Sequence, residues 1–137
     1  MHRTVGIDFG RARVGGAQSD PLGIFASPLE TVPSANIIEY LQKIAAVDTI
    51  DRFVLGYPLN LNGAHAEAAA DVDKFIPKLQ AAFPDVPICL EDERFTSVLA
   101  HKAMIDGGMK YQDRKDKASV DRISAAIILQ SYMDRTH

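Results

Sequence analysis

The chain has 137 residues, 47% hydrophobic and 24% charged, a balance that fits one globular domain with a real core and excludes a disordered or fibrous chain. Its net charge of −3 excludes a simple sequence-independent coat for nucleic acid, since neutralising phosphates takes an excess of Lys and Arg. The single cysteine, Cys89, excludes an internal disulfide and a thiolate metal centre, and no stretch approaches the roughly 18 consecutive apolar residues of a membrane span. The N-terminus lacks the basic head and apolar run of a signal peptide, so a cytoplasmic chain with no membrane partner is expected.

Residues 3–9, 13–18 and 24–31 read as three strands of an antiparallel meander, joined by Gly10-Arg11-Ala12 and by Ser19-Asp20-Pro21-Leu22-Gly23. Val5 and Ile7 suit a buried strand that ends on Asp8, Gly10 permits a tight turn, and the Gly15-Gly16 pair loosens the second strand or marks a bulge. Ser34 is positioned to cap a helix in which Ile37, Ile38, Leu41, Ile44 and Ala45 recur at helical spacing. Residues 52–56 make a short buried strand, 58–63 a loop, and the Ala-rich segment 64–83 a long helix that Pro77 should kink or interrupt.

A fifth strand over 87–91, which buries Cys89, ends in the acidic cluster Glu91-Asp92-Glu93-Arg94. A helix over 96–106 follows, with Thr96 as its cap and Gly107-Gly108 as its stop, and then a polar loop over 110–117. Ser119 can cap a last helix carrying Val120, Ile123, Ala126, Ile127 and Leu129 or Tyr132. The expected fold is therefore α/β, one domain over 1–137. Its five-stranded mixed sheet has three antiparallel strands and then two parallel ones, with helices on both faces.

A carboxylate at the end of a central strand is costly to bury unless it caps a turn, finds a partner or binds a metal, and Asp8 is open to each of these readings. Asp92 or Glu93 would project from the same carboxyl edge, where open α/β sheets place their sites. Asp121, expected in the first turn of the last helix, would be kept ionised by the helix dipole. Oxygen ligands without His or Cys suit Mg²⁺ or Mn²⁺. His2, His65, His101 and His137 have no metal-ligand spacing. Carboxylates that hold such ions serve phosphoryl chemistry, in which two ions activate water and stabilise the leaving oxygen. Between Arg94 and Arg122, seven basic residues (Arg94, Lys102, Lys110, Arg114, Lys115, Lys117, Arg122) stand against four acids, which makes a local basic surface possible on an acidic chain.

Four ordered motifs carry a resemblance that spans nearly the whole chain: Gly6-Ile7-Asp8-Phe9-Gly10 with Arg13-Val14-Gly15, Val54-Leu55-Gly56-Tyr57-Pro58-Leu59-Asn60, Asp92-Glu93-Arg94-Phe95-Thr96-Ser97, and Val120-Asp121-Arg122 with 125–129. Together they resemble the YqgF/RuvX family. The resemblance implies an RNase H-like fold related to Holliday-junction resolvases and a metal-dependent nuclease using Asp8, Glu93 and Asp121. Family members are described as candidate nucleases for pre-16S rRNA, which implies processing of its 5′ end in ribosome biogenesis and contact with ribosomal particles. Cleavage of branched DNA and non-catalytic binding in ribosome assembly are the alternatives.

An ATP-dependent kinase of the actin and sugar-kinase type shares the strand, Asp and Gly opening, but it needs a second lobe for which the chain is too short. Adjacent strand residues point to opposite faces, so only one of Asp92 and Glu93 can face the metal, and the family match favours Glu93. Arg13, Arg94, Lys115 and Lys117 are candidates to hold the nucleic-acid backbone, although Arg94 can instead neutralise its acidic neighbours. Asn60 is a candidate to fix its loop or to touch substrate. Gly16, Tyr57 and Asn62 depart from the family pattern without removing a ligand, and Tyr57 can offer a stacking surface or merely pack.

Overall fold

Val5, Ile7 and Phe9 project to one side of the first strand and Gly6 and Asp8 to the other, and the rest of the chain is arranged around that difference. The computed structural model describes residues 2–58, 64–92 and 117–136, with side chains at 2–58, 66–92 and 121–136. The strands are β1 (His2–Phe9), β2 (Arg13–Ser19), β3 (Ala26–Pro33), β4 (Thr49–Tyr57) and β5 (Ile88–Asp92), and the helices are α1 (Ile37–Val47), α2 (Ala64–Ala82) and α3 (Lys117–Thr136). The sheet order is β3-β2-β1-β4-β5. β1 pairs antiparallel with β2, and β2 with β3, while β1 pairs parallel with β4, and β4 with β5. This is the expected mixed sheet.

One face is covered by α1 and α2. Ile37 and Leu41 of α1 and Val72, Phe75 and Leu79 of α2 bury against Val5, Ile7, Val14, Phe53 and Leu55. Each such side chain contributes about 1.5–3 kcal/mol by leaving water, so among the described residues this face holds most of the apolar stabilisation. Among the described residues the other face is covered by α3, through Ala125, Ile128, Leu129, Tyr132 and Met133 packed on Ala17 and Val54. Cys89 is half-buried against this second cluster, its Sγ 3.6 Å from the Tyr132 hydroxyl.

Several boundaries differ from those expected, each for a local reason. β3 starts at Ala26 because the amides of Ile24 and Phe25 donate to Asp20 Oδ1 at 2.7 and 3.0 Å, which spends them on the turn. Gly23 closes that turn at φ 70°. Ser34 does not cap α1. Its hydroxyl donates to the Arg11 carbonyl at 2.7 Å and its amide to the Ala12 carbonyl at 3.1 Å, and a short 3-10 turn over Ser34–Asn36 precedes the helix. Pro77 neither ends nor interrupts α2, which runs through it as far as Ala82. Ser119 lies inside α3, two residues beyond its first, and so is not its N-cap.

The β2–β3 register shifts between Gly15 and Ala17, where Gly16 faces both Leu29 and Glu30, so the extra residue of the bulge lies on β3, opposite the glycine pair and not within it. A further link joins α3 to the sheet edge. Gln130 accepts from the Ala26 amide at 2.9 Å and donates to the Ile24 carbonyl at 2.8 Å. The expected helix over 96–106 and the loop preceding α3 lie outside the described residues. Among the described residues no helix is long and apolar enough to cross a membrane.

Candidate active site at the carboxyl edge of the sheet

Asp8 is the penultimate residue of β1 and pairs with Gly15 of β2. Residues paired across antiparallel strands share a face, and the face of this pair is set by Gly15. A Cβ on Gly15 would lie 2.2 Å from the Asp121 carbonyl oxygen, so the backbone of α3 rests directly on this strand. Gly6 marks the same close approach two residues earlier, where a Cβ would meet the Leu129 Cβ at 2.7 Å and the Ala125 carbonyl at 3.0 Å. The glycines thus allow α3 to lie against β1 and β2 and bring Asp121 to the edge of the sheet that carries Asp8. Both acids are part-exposed, as groups that receive a ligand must be.

Asp121 sits one turn deeper than expected. α3 begins at Lys117 and has no acid in its first turn, which weakens the dipole argument for its charge, since that effect fades beyond the terminal turn. A direct partner supplies what the dipole does not: Arg13 Nε on β2 donates to Asp121 Oδ2. Arg13, expected to hold a nucleic-acid backbone, is therefore also the cation that orients this acid.

The register of β5 separates the neighbouring acids. Gly56 pairs with Glu91 and Tyr57 with Asp92. Tyr57 packs with the α1 and α2 cluster, so Asp92 lies on that face, away from Asp8. Glu91 lies on the α3 face, where it is buried and accepts from Ser131 Oγ at 3.0 Å and Arg135 Nη2 at 2.5 Å. In the sequence Glu91 does not stand apart from its acidic neighbours; the signal for this clamp is the pair Ser131 and Arg135, one turn apart on α3.

Tyr57 donates to both oxygens of Asp73 on α2 at 3.2 Å, which ties β4 to that helix instead of presenting a stacking surface. Desolvation first, and then the Asp73 carboxylate, push its phenol above the ordinary tyrosine range. Glu93, Arg94, Asn60 and Lys115 lie outside the described residues. Lys117 opens α3, and its side chain is likewise outside them. Among the described residues no group of three or more His, Cys, Asp or Glu gathers to hold a metal, and Asp8 and Asp121 are the expected ligands that the fold brings to one face.

A five-stranded sheet of this order, with an acid near the end of its first strand and a helix laid across glycines on one face, is that of an RNase H-like fold. Solved structures share the fold. RuvC of T. thermophilus in complex with a Holliday junction substrate matches with a TM-score of 0.61 at 16% identity, covering 99% of this chain and 96% of that one. The Fowlpox virus resolvase in complex with Holliday junction DNA matches at 0.63 and 12% identity, covering 98% of each. The chain belongs to the RuvX family, described as Holliday junction resolvase, which matches over residues 2–135. It is 43% identical over 134 residues to a Phocaeicola vulgatus protein named "Putative pre-16S rRNA nuclease", covering 98% of this chain and 96% of that protein. A Bacteroides fragilis protein of the same name is 42% identical, with 98% and 97% covered.

Proposed function

We propose that this chain is a metal-dependent nuclease that hydrolyses phosphodiester bonds in structured RNA, with the 5′ end of pre-16S rRNA as its substrate and the cytoplasmic ribosomal precursor as its setting. The observation that carries the reading is the placement of Asp8 and Asp121 on one face at the carboxyl edge of the sheet, with Arg13 beside them. The names of the RuvX relatives, matched over nearly their full length, support the substrate.

Asp8 and Asp121 fit a hard divalent ion such as Mg²⁺ or Mn²⁺, because both offer carboxylate oxygens from rigid elements and neither is sealed from solvent. Glu93 is the third ligand in this reading. The match of Glu93 to the family motif supports it, and Asp92 lies on the face of the sheet away from Asp8. The ion, when bound, neutralises the phosphate and activates water for in-line attack. Asp8 and Asp121 hold their oxygens in place for it. Arg13 fixes the rotamer of Asp121 through Nε, and its guanidinium carries further N–H donors suited to a phosphate oxygen. Arg94, Lys115 and Lys117 extend that phosphate contact, and Asn60 orders the loop after β4.

The test is Asp8→Asn, assayed on a pre-16S rRNA fragment and on a four-way DNA junction at matched salt in Mn²⁺. The expected outcome is an unchanged melting temperature with cleavage of the RNA fragment reduced at least about a thousandfold. Full activity in the variant would remove Asp8 from the site, and wild-type cleavage confined to the junction would replace RNA by branched DNA as substrate.

A further inference from the structure

The turn between β1 and β2 sends its two arginines to opposite faces of the sheet. Arg13 reaches Asp121 on α3, whereas Arg11 reaches Asp71 on α2, with Nε and Nη2 at 3.3 and 3.4 Å from the carboxylate oxygens. Below Arg11 a groove of 360 Å³ opens between α2 and the start of α1. Its floor includes Phe9 and Phe75, stacked with ring centroids 4.3 Å apart and planes 14° from parallel. Lys74 and Lys78 stand along one wall, one helical turn apart and exposed. The groove is thus lined by three cations and one acid on a chain whose net charge is −3, and Asp71 is itself engaged with Arg11. Phe9 directly follows Asp8, so the groove begins where the candidate active site ends, on the other side of the same turn.

We infer that this groove is a second binding site for the substrate: it takes the phosphodiester backbone of a single nucleic-acid strand that passes from the acids over the turn between β1 and β2. Lys74, Lys78 and Arg11 supply the phosphate contacts, and the apolar floor accepts the sugar side of the strand. The direction of the path rests on the nuclease reading; the binding does not. Recognition through phosphate and sugar, without base edges, makes the contact sequence-independent and strongly dependent on salt.

The experiment measures the affinity of the full chain for a fluorescein-labelled 20-nucleotide single strand, as RNA and as DNA, by anisotropy in EDTA across a salt series. The probe variant is the double substitution Lys74→Gln and Lys78→Gln, checked for an unchanged melting temperature since both side chains are exposed. Removing two phosphate contacts is expected to weaken binding by roughly tenfold and to flatten the slope of log affinity against log salt by about 1.4, that is, two contacts at about 0.7 each. Equal losses on RNA and DNA mark contact with phosphate alone, and a larger loss on RNA adds its 2′-hydroxyl to the contact; both support the site.

Unchanged affinity and slope in the variant, or no salt-sensitive binding by the wild type, overturn it. Asp8→Asn, run in parallel, keeps the two readings apart. An Asp8→Asn protein that binds normally but does not cleave, beside a lysine variant that binds like wild type, sinks the groove and leaves the nuclease. Cleavage by Asp8→Asn, beside a lysine variant that has lost affinity, does the reverse.

Discussion

The two faces of the sheet are built on opposite principles. Under α1 and α2 the contacts are made by large side chains, among them Ile7, Phe53, Leu55 and Leu79, all fully buried. Under α3 the sheet presents Gly6, Gly15 and Ala17, and the helix comes close enough that a single added Cβ would lie within 3 Å of it at both glycines. The first arrangement derives stability from area, and it can relax when an atom is lost. The second holds one backbone at a fixed distance from another, which gives less area but sets the position of Asp121 relative to Asp8. A site that depends on geometry is thus placed on the face where glycines let the helix come closest to the strands.

That contrast breaks if the faces respond alike to substitution. The largest stability loss is expected on the thick face, where Phe53→Ala should cost about 3–5 kcal/mol in urea denaturation, with activity per folded molecule little changed below the transition. Gly15→Ala should cost less, about 1–3 kcal/mol of overpacking, yet lower cleavage disproportionately by displacing α3 and Asp121. A Gly15→Ala protein that is destabilised but fully active would show that the close approach serves packing alone.

The smallest effect should lie far from both faces, at Asp20. The Phe25 amide first, against a desolvation cost, and then the Ile24 amide hold its carboxyl below the usual range. A depressed folded value means that its contribution is present above the unfolded pKa and is lost as pH falls through the folded one. The amide resonances of Ile24 and Phe25 should therefore hold from neutral pH to about pH 4 and shift only below it. Shifts starting near pH 6 would contradict the assignment.

Much of this was legible in the sequence where a signal was local. The meander and the alternation of β1 follow from short-range rules, and the sheet order follows from antiparallel hairpins succeeded by crossovers. The start of β3 is not legible, because Ile24 and Phe25 have strand propensity, which the Asp20 side chain overrides. The buried stripe of α3 was also only half read. Residues 125–129 are all apolar, so periodicity does not pick out Ala125 and Leu129; Gly6, more than a hundred positions earlier, does, because both come against it. Of the candidate site, Asp8 could be placed from its strand. The pairing of Arg13 with Asp121 could not, because it spans 108 positions and appears only once the helix lies on the glycines.

The amide of Gln130 has a consequence for how the molecule avoids its own kind. It offers the chain at the entry to β3 one acceptor and one donor, as a neighbouring peptide unit would. β3 is an outer strand, and an outer strand is a template on which another chain can extend the sheet. By standing in for the first residue of such an added strand, one glutamine turns the lead end of that template into a closed position, and it does so from the helix that also carries Asp121.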